Sequence, residues 1–473
     1  MNRLRQIEYK WVVAIVFVLG LFVEIMDTTI VNVAIPTLSA EFNSSRASIE
    51  WVVLGYLLSL AIWIPASGWI GDRIGTKKTF LFALATFTIA SMLCGQAHSL
   101  FELILFRILQ GVGGGMLTPV GTAMLFRVFP PAERARASAI LFVPTVIAPA
   151  LGPLVGGLLI DHASWRWIFY VNAPIGLLGF LFGFFFLKES KEPSAGKFDL
   201  AGFSLSATGF AGILYALSQG PEKGWSSFSV VITGVGGMAL LAALGWVETH
   251  VAHPMLALRL YREKMFRTSN FINTLAYGGF ASFLFLFPQM VQQMLGQSAL
   301  SSGLTSLPQA VGMIVMSQVV GKLYHSVGPR RLVIFGLSMV TLSNIPFSFI
   351  ALDTNLWTIR LLMLLRGMSM AFSFVPLQAV TYANISKSDT GRASAIFSTQ
   401  RQMSAALGVA VLSTIFISRF NHLSDLGVRP DVAMLGGYRL AFAATAVISG
   451  AAAILASLTL RDADAASTMH AKK

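Results

Sequence analysis

The pentapeptide RASAI stands at residues 136–140 and again at 392–396, an offset of 256. In the same register ALG occurs at 150–152 and again at 406–408. Two matches in one register suggest an internal duplication, and the fold then depends on what surrounds each copy.

The surroundings are apolar. Of 473 residues, 55% are hydrophobic and only 12% charged, about half the charged share of a soluble domain. That balance points to an all-α integral membrane protein with lipid as its solvent. About 20 apolar residues cross the hydrocarbon core as a helix, and backbone polarity leaves few alternatives there. Spans are expected at 11–34, 50–71, 78–96, 99–122, 136–160 and 166–187, then 200–218 and 228–248, then 268–295, 303–325, 331–351, 357–380, 393–418 and 437–459. The first run, after MNRLRQIEYK, is long enough to span and is expected to be retained rather than cleaved as a signal peptide. Sorting Lys and Arg into alternate loops places 24 of the 34 on one side and seven on the other, with Arg107, Arg366 and Arg401 inside spans. Short cytoplasmic loops carry such an excess. Fourteen helices in the cell membrane with both termini cytoplasmic are therefore expected.

The register lays helix 5 on helix 13, so helices 1 to 6 correspond to helices 9 to 14 and helices 7 and 8 are left over. The expected organisation is a six-helix bundle over 1–190, a linker with the extra pair over 191–260, a second six-helix bundle over 261–460 and a tail over 461–473. GWIGDRIGTKKTF at 68–80 has its echo where this register requires it, as GKLYHSVGPRRLV at 321–333. Two halves repeated in one orientation around a midplane cavity are a known transporter design. A duplication that merely builds a large bundle is the alternative.

Four motifs then carry a resemblance: DTTIVNVAIP (27–36) in helix 1, GWIGDRIGTKKTF (68–80) after helix 2, RILQGVGGGMLTP (107–119) in helix 4 and APALGPLVGG (148–157) in helix 5. In this order the chain resembles, over essentially its whole length, the fourteen-helix drug:proton antiporters of the major facilitator superfamily. The resemblance implies that Gly68, Asp72, Arg73, Gly75 and Lys77 gate the cytoplasmic side. Physically, the glycines permit close approach and a tight turn, and Asp72 can accept from a helix N-terminus. Thr76 stands where the family usually has a basic residue, and His325 stands in the echo where Asp72 would be, so any lock in the second half must differ. A loop that only sets topology is the alternative for the lysines and for Asp72. The family's antiporter motif matches Gly152, Pro153, Gly156 and Gly157, with Ala148 in place of its first glycine. A generic small-residue packing seam explains these equally well.

A charge inside a span costs several kcal/mol unless paired or hydrated. Glu24 and Asp27 are the deep carboxylates; three residues apart, they are expected on one helical face, turned to the cavity. At about 1.5 Å per residue, Asp27 lies roughly 10 Å, Arg107 roughly 12 Å and Glu24 roughly 15 Å below the outer surface. Arg107 is therefore expected to face the acidic pair as a fixed charge, and the pair to switch with protonation. The alternative is an ion pair that only holds helices 1 and 4 together. Arg366 and Arg401 have no acidic partner legible in the sequence. Asn273, Gln289 and Gln292 in helix 9 are candidate polar groups of the cavity.

Other chemistries find little support. No GxxxxGK[ST] phosphate loop occurs, the seven histidines fall in loops or tails, and Cys94 is the only cysteine, which excludes internal disulfides and cysteine-rich metal sites. No catalytic residue, metal or cofactor is expected. The net charge of +13 is spread between apolar runs and gives no continuous basic face for nucleic acid. The expected function is proton-coupled efflux of amphipathic, cationic drugs by alternating access, driven by the proton gradient. Its expected partners are a small-molecule substrate, protons and membrane lipid, and the chain is expected to be a monomer. Export of one dedicated metabolite, such as an endogenous antibiotic, lipid or siderophore, and a non-transporting membrane sensor are the competing readings. The link HPMLALRLYREKMFR (253–267) is expected to lie on the membrane surface with Met255, Leu258 and Tyr261 toward lipid.

Overall fold

The computed structural model describes residues 8–192, 196–251 and 254–469. The cations Arg3, Arg5, Lys472 and Lys473 of the topology count, with His253 and His470, lie outside them, as does the side chain of Pro153.

Among the described residues fourteen helices are long and apolar enough to cross a membrane. They are α1 (Tyr9–Glu41), α2 (Trp51–Ile74), α3 (Thr76–Gln96), α4 (Leu100–Val128), α5 (Arg134–His162) and α6 (Trp167–Phe186). The extra pair is α7 (Leu200–Lys223) and α8 (Phe228–His250). Then come α9 (Lys264–Gln293), α10 (Ala299–Val327), α11 (Pro329–Asn344), α12 (Leu356–Thr381), α13 (Thr390–Asp425) and α14 (Pro430–Thr459). Several overrun the expected spans, α1 and α13 most of all, because polar flanks can continue a helical ladder past the hydrocarbon. Side-chain caps mark many starts: Ser99 on α4, Asp199 on α7, Glu263 on α9, Ser298 on α10 and Asn355 on α12 each accept a first-turn N–H. Such caps satisfy donors that the helix itself leaves free.

The packing repeats. In the first half α1 packs on α4, α5 and α6, α2 on α4, and α3 on α4 and α6. In the second half α9 packs on α12, α13 and α14, α10 on α12, and α11 on α12 and α14, the same pattern eight helices later. Between halves, α2 and α4 meet α13 while α5 meets α10 and α12, which is what a pseudo-twofold axis requires. α7 packs on α2 and α13, beside that interface, and α8 packs on α7.

The turns repeat as well. Gly75 (φ 119°) joins α2 to α3 and Gly328 (φ 87°) joins α10 to α11, both in the left-handed region that favours glycine. A carboxylate from the end of each half closes each turn: Glu189 accepts from the Lys77 and Lys78 amides at 3.0 and 3.2 Å, and Asp462 from the Arg330 amide at 2.8 Å. This face also carries both ends of the described chain and is termed the terminal face.

The link before α9 does not lie on lipid. Met255 and Leu256 are buried, Leu258 and Tyr261 pack on the protein core, and Glu248 of α8 accepts the Leu256 amide at 3.0 Å. Its apolar face finds protein because it packs with Leu244 of α8 and with Ile396 and Phe397 of α13 in one core. Burial pushes the Tyr261 hydroxyl up to about 12, so it stays a donor to Gln400 Oε1 at 2.9 Å.

Candidate functional site

Asp27 sits inside the first bundle, fully buried. Arg107 Nη1 donates to its Oδ2 at 2.5 Å, while Gln110 Nε2 and Asn172 Nδ2 each donate to Oδ1 at 2.8 Å. Arg107 is held in turn: Nε donates to the Val52 carbonyl at 3.0 Å, Nη1 also to Gln110 Oε1 at 2.6 Å, and its guanidinium lies 4.3 Å from the Tyr56 ring centroid. Five helices converge here, α1, α2, α4, α6 and, through Ser91 on Asn172, α3. They can approach because α4 is glycine-rich on its packing faces: a Cβ on Gly111 would stand 2.7 Å from the Tyr56 carbonyl, and one on Gly113 2.4 Å from that of Ala83.

Glu24 is elsewhere. It is half-buried, accepts from Thr118 Oγ1 at 2.7 Å, and feels the charge of Arg401 on α13, across the interface between halves. The expected single acidic face facing Arg107 is thus split. Three residues turn a helix by about 300° rather than 360°, and that remainder sends Asp27 into the bundle and Glu24 toward the seam. Arg401, which the sequence left unpartnered, stands 5.5 Å from the Tyr277 ring on the same side. Arg366 has no carboxylate partner among the described residues; it donates to Asn344 Oδ1 at 2.8 Å and Gln309 Oε1 at 2.7 Å and covers the Phe283 ring.

The residues expected to gate the cytoplasmic side separate into two groups. Gly68 and Asp72 lie against the first turn of α13, where a Cβ on Gly68 would be 2.8 Å from the Gly391 carbonyl and one on Gly391 2.5 Å from Asp72 Oδ1. Arg127 Nη2 pairs with Asp72 Oδ1 at 2.5 Å. Gly75 and Lys77 belong to the turn, with Lys77 Nζ donating to the Phe184 carbonyl at 2.7 Å. Arg73 is exposed. In the second half His325 Nδ1 lies 3.0 Å from the Met469 carbonyl, and the crossing contact is made instead by Arg134, which donates to the Tyr382 and Ala383 carbonyls. Among the described residues, the side-chain hydrogen bonds between the two halves are these and Ser394 Oγ to the Pro119 carbonyl at 2.7 Å, with Arg127 Nε to the Lys387 carbonyl at 3.3 Å. Apart from the deeper Ser394 bond, all lie at the terminal face.

Gly152 and Gly156 are contact points of α5 on α1: added Cβ atoms would stand 2.1 Å from Thr29 Oγ1 and 2.9 Å from Ile30 Cγ1. Gly157 meets nothing within 4 Å. In α9, Asn273 is buried with its amide nitrogen unpartnered, Gln289 bonds back to the Phe285 carbonyl at 3.2 Å, and Gln292 is exposed. Sixteen residues along a helix amount to roughly 24 Å, so these three form no common site. Sequence reading missed Gln110, Asn172, Thr118 and Arg127. Gln110 was legible, one turn from Arg107; Asn172 carried no signal beyond being polar in an apolar run.

Comparison with known proteins follows the same lines. The sequence pattern described as Major Facilitator Superfamily matches residues 17–409 and 269–472. "Multidrug resistance protein B homolog" of Mycobacterium tuberculosis (strain ATCC 25618 / H37Rv) is 34% identical over 416 residues, covering 86% of this chain and 76% of the relative. "Putative multidrug resistance protein MdtD" of Pectobacterium carotovorum subsp. carotovorum (strain PC1) is 32% identical, covering 85% of both. Among solved structures, the human organic anion transporter MFSD10 (TETRAN) superposes with a TM-score of 0.67 at 15% identity, over 95% of this chain and all of that one. The proton:xylose symporter XylE gives 0.63 at 15% identity, over 95% and 94%.

Proposed function

The chain belongs to the major facilitator superfamily and is a membrane transporter, not an enzyme, and on that premise we propose that it exports amphipathic, cationic drugs from the cytoplasm in exchange for protons. The observation that carries this reading is the division of labour on one turn of α1. Asp27 is enclosed with Arg107, and Glu24 bonds Thr118, next to Pro119, whose carbonyl accepts from Ser394 of the second half. A buried ion pair costs little only while both charges are present. A proton taken up by Asp27 leaves Arg107 an uncompensated buried cation, so protonation and a shift of α1 against α4 belong together. Gly152 touches Thr29, two residues beyond Asp27, which hands that shift to α5 and so to the second half. Glu24 offers a carboxylate to a substrate cation, and the aromatic Tyr277 stands near its counter-charge Arg401. Relatives named for multidrug resistance support drugs as the cargo.

The excess of basic residues orients the terminal face to the cytoplasm. The packing of Asp72, held by Arg127, on the first turn of α13 and the bonds of Arg127 to the Lys387 carbonyl and of Arg134 to the Tyr382 carbonyl then shut the cytoplasmic side, and their release is the step that alternating access requires. Protons enter at Asp27 from outside and leave inward. The transporter works as a monomer with the proton gradient as its only energy source.

The test is reconstitution in vesicles with an imposed inward proton gradient and a panel of lipophilic cations. Gradient-driven efflux is expected for the wild type and lost in Asp27→Asn. Transport indifferent to the gradient would remove antiport, and full gradient-driven transport in Asp27→Asn would remove Asp27 from its role.

A further inference from the structure

We propose that the groove between the first turns of α9 and the last turns of α14 binds an anionic phospholipid of the surrounding membrane, its phosphate between Arg267 and Arg461. The groove encloses about 560 Å³, within the range of small-ligand sites. Its lining is divided along the membrane normal. Lys264, Arg267 and Arg461 stand at the terminal-face end, where α9 begins and α14 has just ended; Phe271, Leu455 and Leu458 line the part deeper along the helices. Arg267 and Phe271 are one helical turn apart and so form a column on one face of α9, a cation above an aromatic ring. Phe271 and Leu458 are 57% and 76% exposed, so the groove opens sideways, into lipid for a spanning helix.

The cations are underused by the protein. Lys264 Nζ pairs with Asp464 at 2.7 Å, but Arg267 makes only a 3.5 Å bond to the Tyr261 carbonyl. Among the described residues neither Arg267 nor Arg461 has a carboxylate within 4 Å. Two guanidiniums without a carboxylate partner above an apolar slot match a headgroup phosphate above acyl chains, and basic pockets between spanning helices at the membrane surface recognise such headgroups. A soluble anion would leave the apolar part of the slot unfilled. The groove also adjoins the crossing between halves: Asn384, which donates to Glu263 Oε1 at 2.9 Å and to the Asp464 carbonyl at 3.0 Å, follows the Tyr382 and Ala383 carbonyls that receive Arg134. A bound phosphate competes with Asp464 for Lys264 beside that crossing.

The experiment uses the full chain in phosphatidylcholine vesicles and measures, with spin-labelled lipids, the association of phosphatidylglycerol relative to phosphatidylcholine. The wild type is expected to prefer phosphatidylglycerol by on the order of tenfold, and Arg267→Gln/Arg461→Gln to lose most of that preference. Leu458→Trp, which fills the slot and leaves every charge in place, is expected to lower it too. Absence of preference in the wild type, or a double variant that keeps it, overturns the proposal. So does complete displacement of the labelled lipid by inorganic phosphate, which would identify a site for the free anion alone.

Discussion

Asp27 and Glu24 are separated by three residues of α1 and by two environments. For Asp27 the partners matter more than the charge: breaking a buried pair by removing one member typically costs about 3–5 kcal/mol, because the other is left unpaired. Arg107→Gln is therefore expected to destabilise the protein by roughly that amount in a denaturant titration, while Asp27→Asn/Arg107→Gln is expected to lose less than the single change. A double variant at least as unstable as Arg107→Gln would show that the pair is not the unit. Among the described residues Glu24 has one hydroxyl hydrogen bond to lose and no ion pair in contact. Glu24→Gln is expected to leave stability within about 1 kcal/mol and to impair dicationic substrates more than monocationic ones in vesicle transport; equal loss for both would make Glu24 a structural neighbour of Thr118 and no more.

Helix contacts sort the glycines that the motif treats alike. Gly152→Ala puts a methyl 2.1 Å from Thr29 Oγ1, an overpacking expected to cost about 1–3 kcal/mol. Gly157→Ala meets nothing and is expected to be neutral or to stabilise by up to about 1 kcal/mol through helix propensity. Unfolding measurements that rank the two equally would contradict the α1–α5 seam. At the turn, Glu189→Ala removes the acceptor for two first-turn amides of α3 and is expected to cost about 0.5–2 kcal/mol, as loss of a cap does.

At the scale of the whole molecule, the side-chain hydrogen bonds between the two halves among the described residues lie mostly on one face, so on the proposed reading a small number of groups there decides whether that face is open. Asp72→Asn weakens the bond from Arg127 and the contact with the α13 N-terminus together. It is expected to raise the rate at which maleimide labels a cysteine placed at Ser394, a position buried at that crossing. Native Cys94 is buried in the first half and should not contribute. An unchanged labelling rate would mean that Asp72 does not hold the terminal face shut.

Most of the architecture was legible in advance because lipid imposes a one-dimensional code. A span must be about 20 apolar residues long, and charges must fall outside it, so helix number follows from composition alone. The RASAI and ALG register correctly paired helix with helix, since duplicated segments keep duplicated contacts. What the chain could not reveal on its own was the direction of individual side chains. Whether Glu24 and Asp27 act as one pair depends on the remaining 60° of a helical turn and on where Gln110, Asn172 and Thr118 stand on other helices. Likewise, Arg127 came to Asp72 and Glu189 to the α3 turn through contacts 55 and more than 100 residues apart. The sequence by itself determined the helices, their number and their pairing, because hydrophobic length and repeat register are local quantities. Only the tertiary structure decided which charges meet, because that depends on helix rotation and on partners brought close by packing.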